Sequence, residues 1–128
     1  MELTIEQALQ QGVAAHKEGK LQEAERLYKA ILQAQPTHSD ANHNLGVLAV
    51  SVNKVALALP LFKTALEANP KKEQFWLSYI DALIKENQLE TAKAVLEKGR
   101  ELGLVGDKVD TLEAQLKPLM QSAPPELS

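Results

Sequence analysis

Residues 39–72 read SDANHNLGVLAVSVNKVALALPLFKTALEANPKK, and the fold turns on this stretch. In its second half Val55, Ala58, Leu61, Phe62, Ala65 and Leu66 recur at steps of three, three, one, three and one. That spacing gathers apolar side chains on one face of an α-helix. Asn53-Lys54 precedes the stripe, and asparagine tolerates the left-handed backbone conformation that closes a helix. Pro70 follows it and cannot continue it. The stretch is therefore two helices joined by a short turn, which forces them antiparallel.

Laid against the rest of the chain at a stride of 34, the same pattern recurs. Gly12 falls on Gly46, Ala24 on Ala58 and Ala92, Tyr28 on Phe62 and Leu96, Leu32 on Leu66, Asn53 on Asn87, and Pro36 on Pro70. Three units follow, 5–38, 39–72 and 73–106, with further breaks expected at Gly19-Lys20 and Asn87-Gln88. Thr4 with Gln7 has the form of a capping box that starts the first helix. After the third unit, Gly106-Asp107 reads as a stop and an N-cap. Val109, Leu112, Leu116 and Leu119 then recur at helical steps, the pattern of a capping helix over about 107–121 that covers the last unit. Pro118 is expected to end or bend that helix within a residue or two, and Pro60 to bend the one that contains it. The closing SAPPELS, 122–128, has the composition of a linker.

A 34-residue pair of helices with a small residue at place 8, alanine at place 20, a large apolar residue at place 24 and proline at place 32 resembles the tetratricopeptide repeat. Leu45, Gly46, Ala58, Phe62, Ala65 and Pro70 match it closely in the second unit. Gly12, Ala24, Tyr28 and Pro36 match it in the first, and Trp76, Tyr79 and Ala92 in the third. The resemblance implies an all-α fold, an α-solenoid of three antiparallel helix pairs in a right-handed superhelix with a capping helix, over residues 1–121. The third unit departs from the pattern at Ile80, Gly99 and Leu104. The expectation is that Ile80 fills the space left by Gly99, so that the pair keeps its packing volume.

Composition fits a helical, core-forming domain. The 128 residues are 45% hydrophobic and 24% charged but only 4% aromatic, with few β-branched runs, a mix that favours helix over sheet. A net charge of −3 lacks the basic excess that nucleic-acid binding needs. No segment approaches the length of a membrane span, and the start of the chain has neither the basic residues nor the apolar run of a secretion signal. A cytoplasmic protein without nucleic-acid or membrane partners is expected. The charge is uneven, with a net basic middle unit between acidic ends.

Nothing in the sequence points to catalysis. There is no cysteine, no phosphate-binding glycine loop, no nucleophile elbow and no paired-histidine metal motif. His38 and His43 are five apart, whereas ligands that share a helix face lie three or four apart, so no metal site is expected. The carboxylates interleave with lysines and arginines as a solvated face, Glu25 with Lys29 and Glu97 with Arg100 being helical neighbours. No enzyme activity and no cofactor are expected.

What remains is a binding surface. In the family the first helices of the units line the concave side, and ligands most often touch places 2, 5, 6, 9, 12 and 13. The resemblance therefore implies a peptide-binding face that includes Leu9, Val13, Asp40, His43, Asn44, Val47, Val50, Leu77, Asp81 and Ile84. Of the lysines, asparagines and arginine with which some members hold a C-terminal carboxylate, only Asn44 is present. Leu9, Val13, Asp40, Gln74 and Ser78 stand in the other places, which disfavours that specificity. The apolar members of the face either receive an amphipathic or hydrophobic peptide or pack between adjacent first helices. The function expected is a non-catalytic module binding a peptide or partner domain in the concave groove. The alternatives are self-association, and the leading part of a larger bacterial transferase, whose repeat segments this chain also resembles.

Overall fold

The computed structural model describes residues 3–122. Seven helices and no strand occur among them: α1 (Ile5–Lys17), α2 (Leu21–Ala34), α3 (Ser39–Ser51), α4 (Val55–Ala68), α5 (Glu73–Lys85), α6 (Leu89–Glu101) and α7 (Asp107–Ser122). Each unit is thus a helix pair, and α7 follows the third pair as a lid. No helix among the described residues is long and apolar enough to cross a membrane.

Local chemistry sets the helix ends. Thr4 and Gln7 form the expected capping box on α1. His38 caps α3, its Nδ1 accepting the Ala41 N–H. Gly19, Asn53 and Asn87 take φ of 80°, 62° and 57° at the turns inside the units. At each, the next residue's N–H returns to a carbonyl five positions back, as Lys20 to Ala15, Lys54 to Ala49 and Gln88 to Leu83. These bonds satisfy the last carbonyls of the helix while the chain reverses. The same closure ends α6, where Leu104 bonds to the Gly99 carbonyl beside Gly103 at φ 102°. The stop expected at Gly106-Asp107 therefore comes earlier. Gly106 instead heads α7, its carbonyl accepting the Asp110 N–H, and Asp107 lies in the first turn.

Neither interior proline ends its helix. Pro60 sits on the exposed side of α4, which runs unbroken around it. Helix α7 continues past Pro118 to Ser122, so of the end or bend expected there the end does not occur. The expected linker begins at that last residue of α7, and its remainder lies outside the described residues.

Packing within a unit rests on one pairing. A methyl group on Gly12 would lie 2.6 Å from the Tyr28 ring, and one on Gly46 2.5 Å from the Phe62 ring. Place 8 is thus empty of side chain because the aromatic ring of place 24 occupies the space where a Cβ would stand. In the third unit those places hold Ile80 and Leu96, both buried in one cluster. Bulk has moved from the second helix to the first. The expected partnership of Ile80 with Gly99 is corrected accordingly, because the atoms nearest Gly99 belong to Leu104 and Trp76.

Between units a side chain ties down each proline turn. Asn42, buried at place 4 of the second unit, donates through Nδ2 to the Pro36 and His38 carbonyls. Trp76, at place 4 of the third, donates through Nε1 to the Pro70 carbonyl at 2.7 Å. At the last junction Leu104 replaces the proline and Asp110 stands at place 4. There Arg100 reaches from α6 to Asp110 at 3.0 Å and Glu113 at 2.7 Å. These pairs across the junction replace the expected pair with Glu97. The Glu25–Lys29 pair forms as expected.

Candidate functional site on the concave face

Helices α1, α3, α5 and α7 adjoin one another in series, whereas α2, α4 and α6 contact only first helices. Close approach on one side and separation on the other curve the stack, with the first helices inside.

The expected site residues lie along that inner face, and most of the apolar ones are engaged in packing. Leu77 is only 7% exposed and belongs to the core of the third unit. Leu9 packs toward Tyr28, Leu45 and Leu48, Val47 and Val50 toward Ala49 and Phe62, and Ile84 on the third-unit core. These side chains, like Val13, are half-buried. The apolar strip thus joins neighbouring units more than it faces solvent.

His43 is also drawn inward, at 9% exposed. Its Nε2 lies 2.7 Å from the Ser78 hydroxyl, and its ring packs between Phe62 and Phe75 with centroids 5.4 and 4.9 Å away. Burial pushes the imidazole pKa below its ordinary value, an effect that Asn44 and Asp40 oppose and Lys72 reinforces. Asp40 pairs with Lys72, the last residue of its own unit, at 3.0 Å, and the Lys72 ammonium stands 5.0 Å from the ring centroid of Phe75 in the next unit. Asp81 pairs with Lys85 along α5 at 2.8 Å. No group of three or more His, Cys, Asp or Glu side chains able to hold a metal occurs among the described residues.

One hollow of about 340 Å³ opens on this face, between α5 and α7. Leu77 and Leu112 give it an apolar lining, and Gln74, Ser78, Asp81, Lys108 and Thr111 line it with polar groups. Gln74 donates to the Ser78 hydroxyl at 3.1 Å, which joins the hollow to His43. Leu77 and Asp81 were among the expected site residues, and Gln74 and Ser78 stand at ligand-contacting places of the same helix. The contribution of α7 was missed because its apolar stripe reads as a lid. The signal was nonetheless present, since counting α7 as the first helix of a fourth unit puts Lys108, Thr111 and Leu112 at places 2, 5 and 6.

The sequence model of the tetratricopeptide repeat matches residues 49–116, more than half of the chain. The chain belongs to the tetratricopeptide-repeat family. No curated protein matches it in sequence. Among solved structures, MamA of MSR-1 is 26% identical, with a TM-score of 0.78 over 94% of this chain and 69% of MamA. The first repeat domain of Spaghetti (RPAP3), solved with the HSP90 peptide SRMEEVD, is 21% identical, with a TM-score of 0.81 over 95% of this chain and 99% of that one. The Yersinia enterocolitica type III secretion chaperone SycD, in complex with a peptide of the translocator YopD, is 17% identical, with a TM-score of 0.73 over 95% and 93%. The last two resemble this tetratricopeptide-repeat protein in fold alone.

Proposed function

We propose that this tetratricopeptide-repeat protein is a non-catalytic protein-interaction module that holds a peptide segment of a partner on its concave face, centred on the α5–α7 hollow. The hollow carries the reading, because it combines a small apolar lining with polar groups that their own fold leaves within reach of a ligand. Such a site takes one apolar side chain and hydrogen-bonds the peptide on either side of it. The family fold supports the reading, as do the peptide complexes of Spaghetti and SycD. With most of the apolar strip engaged between units, polar contacts and a single anchor dominate over a broad hydrophobic groove.

Panning a displayed random-peptide library against the 128-residue chain tests the reading. Gln74, Lys108 and Thr111 are exposed, so Gln74→Lys, Lys108→Glu and Thr111→Asp together should leave the helical circular dichroism intact while weakening selected peptides roughly tenfold or more. Peptides that bind the triple variant as well as the parent would refute the site.

A further inference from the structure

Two of the three turns between units are polar at the surface, and the third is not. The first carries Gln35, Pro36, Thr37 and His38, and the second Asn69, Pro70, Lys71 and Lys72. The third runs Leu102-Gly103-Leu104-Val105-Gly106. Leu104 is buried against Gly99, while Leu102 and Val105 are 60% and 68% exposed. Gly103 and Gly106 take φ of 102° and 124°, which other residues rarely adopt, and buried Leu104 anchors the centre of the turn. Two large apolar side chains are thus held out in water by a built turn.

Beside them lie two adjoining hollows of about 500 and 590 Å³ that share Pro70, Trp76 and Leu102 in their walls. Val105 lines the first, and the second extends between α4 and α6 toward Tyr79 and Val95. The Trp76 bond to the Pro70 carbonyl holds this floor in place. Lys71 and Glu73 border the first hollow, Lys63, Lys98 and Glu67 the second, while Glu101 and Asp107 flank the projecting turn. None of these seven forms an ion pair among the described residues.

Projection and cavity therefore share one face, ringed by unpaired charges of both signs. We propose that this face is the self-complementary interface of a two-fold homodimer, each hollow receiving Leu102 and Val105 of a second copy. A two-fold axis gives every contact twice and closes the assembly. It also brings the acidic flanks of each turn, Glu101 and Asp107, to rims on which the three lysines Lys63, Lys71 and Lys98 outnumber Glu67 and Glu73. The face is separate from the concave hollow, so the dimer and the peptide site stand or fall independently.

Sedimentation equilibrium of the whole chain, from micromolar to millimolar concentration, should show a monomer–dimer equilibrium whose mass levels off at twice the monomer. Leu102→Asp and Val105→Asp together, both at exposed positions, should raise the dissociation constant roughly tenfold or more with unchanged circular dichroism. Leu57→Asp, at an equally exposed site in the groove that α2, α3 and α4 form, should leave it unaltered. A strict monomer throughout the range, a dimer indifferent to the double variant, or a mass that keeps growing without a plateau would each overturn the proposal.

Discussion

At the scale of single residues, His43 shows how this chain uses a polar group inside an apolar junction. Its ring fills the gap between Phe62 and Phe75, and one nitrogen meets Ser78 of the next unit. The charged form is disfavoured there, so the folded-state pKa lies below the ordinary 6.5, with burial the largest cause. A lowered histidine pKa makes a definite prediction. The contribution of His43 to stability is complete above pH 6.5 and is lost as pH falls from there through the lower folded value. Asp40, Asn44 and Lys72 face the same ring, but the first two favour the proton and the third opposes it, so they moderate the effect without reversing it. His43→Gln removes the titration while leaving a side chain that can still reach a hydroxyl. The urea midpoint of the parent should fall more steeply than that of the variant between neutral pH and pH values below 6.5. Parallel falls would show that His43 is not a source of acid sensitivity.

At the scale of helices and turns, the side-chain clamps decide how units join. Trp76 buries its ring and satisfies the Pro70 carbonyl at once. Trp76→Phe keeps most of the ring and orphans the carbonyl, which should cost about 1–2 kcal/mol. Hydrogen exchange should quicken around the α4–α5 turn while α1 and α2 keep their protection. Unchanged exchange there would mean that the bond does not hold the junction. Such clamps also mark the limit of what the sequence reveals. The helices and their turns were legible because Ala24, Ala58 and Ala92, or Gly46 and Phe62, repeat at a fixed stride, and the conformations of Asn53 and Asn87 depend only on adjacent residues. Partner choice was not legible wherever a turn had to be built first. Gly99 meets Leu104 because Gly103 folds the chain back, and Arg100 turns from Glu97 to Asp110 and Glu113 because α7 returns beside α6. The candidate site divides the same way. The stride brought Leu77 and Asp81 to the concave face, but it reaches their neighbours Lys108 and Thr111 only if α7 is counted as the first helix of a fourth unit, which its lid-like apolar stripe obscures.

At the scale of the whole molecule, stability passes from unit to unit, and only the last unit depends on something that is not a repeat. Phe75, Ile80, Leu83, Leu96 and Leu104 share one cluster with Val109, Leu112 and Leu116 of α7. Burying a large aliphatic side chain contributes about 2 kcal/mol, so these three contribute on the order of 6. A domain of this size is stable by only about 5–15 kcal/mol in total, and the third unit holds a fraction of that. A chain that stops at Gly106 should therefore lose more than the helix of α7 itself, because α5 and α6 loosen once Leu77 and Ile80 face water. The first two units meet each other through α2 and α3 and do not touch α7, so they should persist. Circular dichroism of the truncated chain should show a deficit larger than α7's own share, and urea should melt it in two steps with the C-terminal pair first. A deficit equal to α7 alone, with one cooperative transition, would mean that the third unit stands without its lid. The 340 Å³ hollow would then have lost one wall and kept the other.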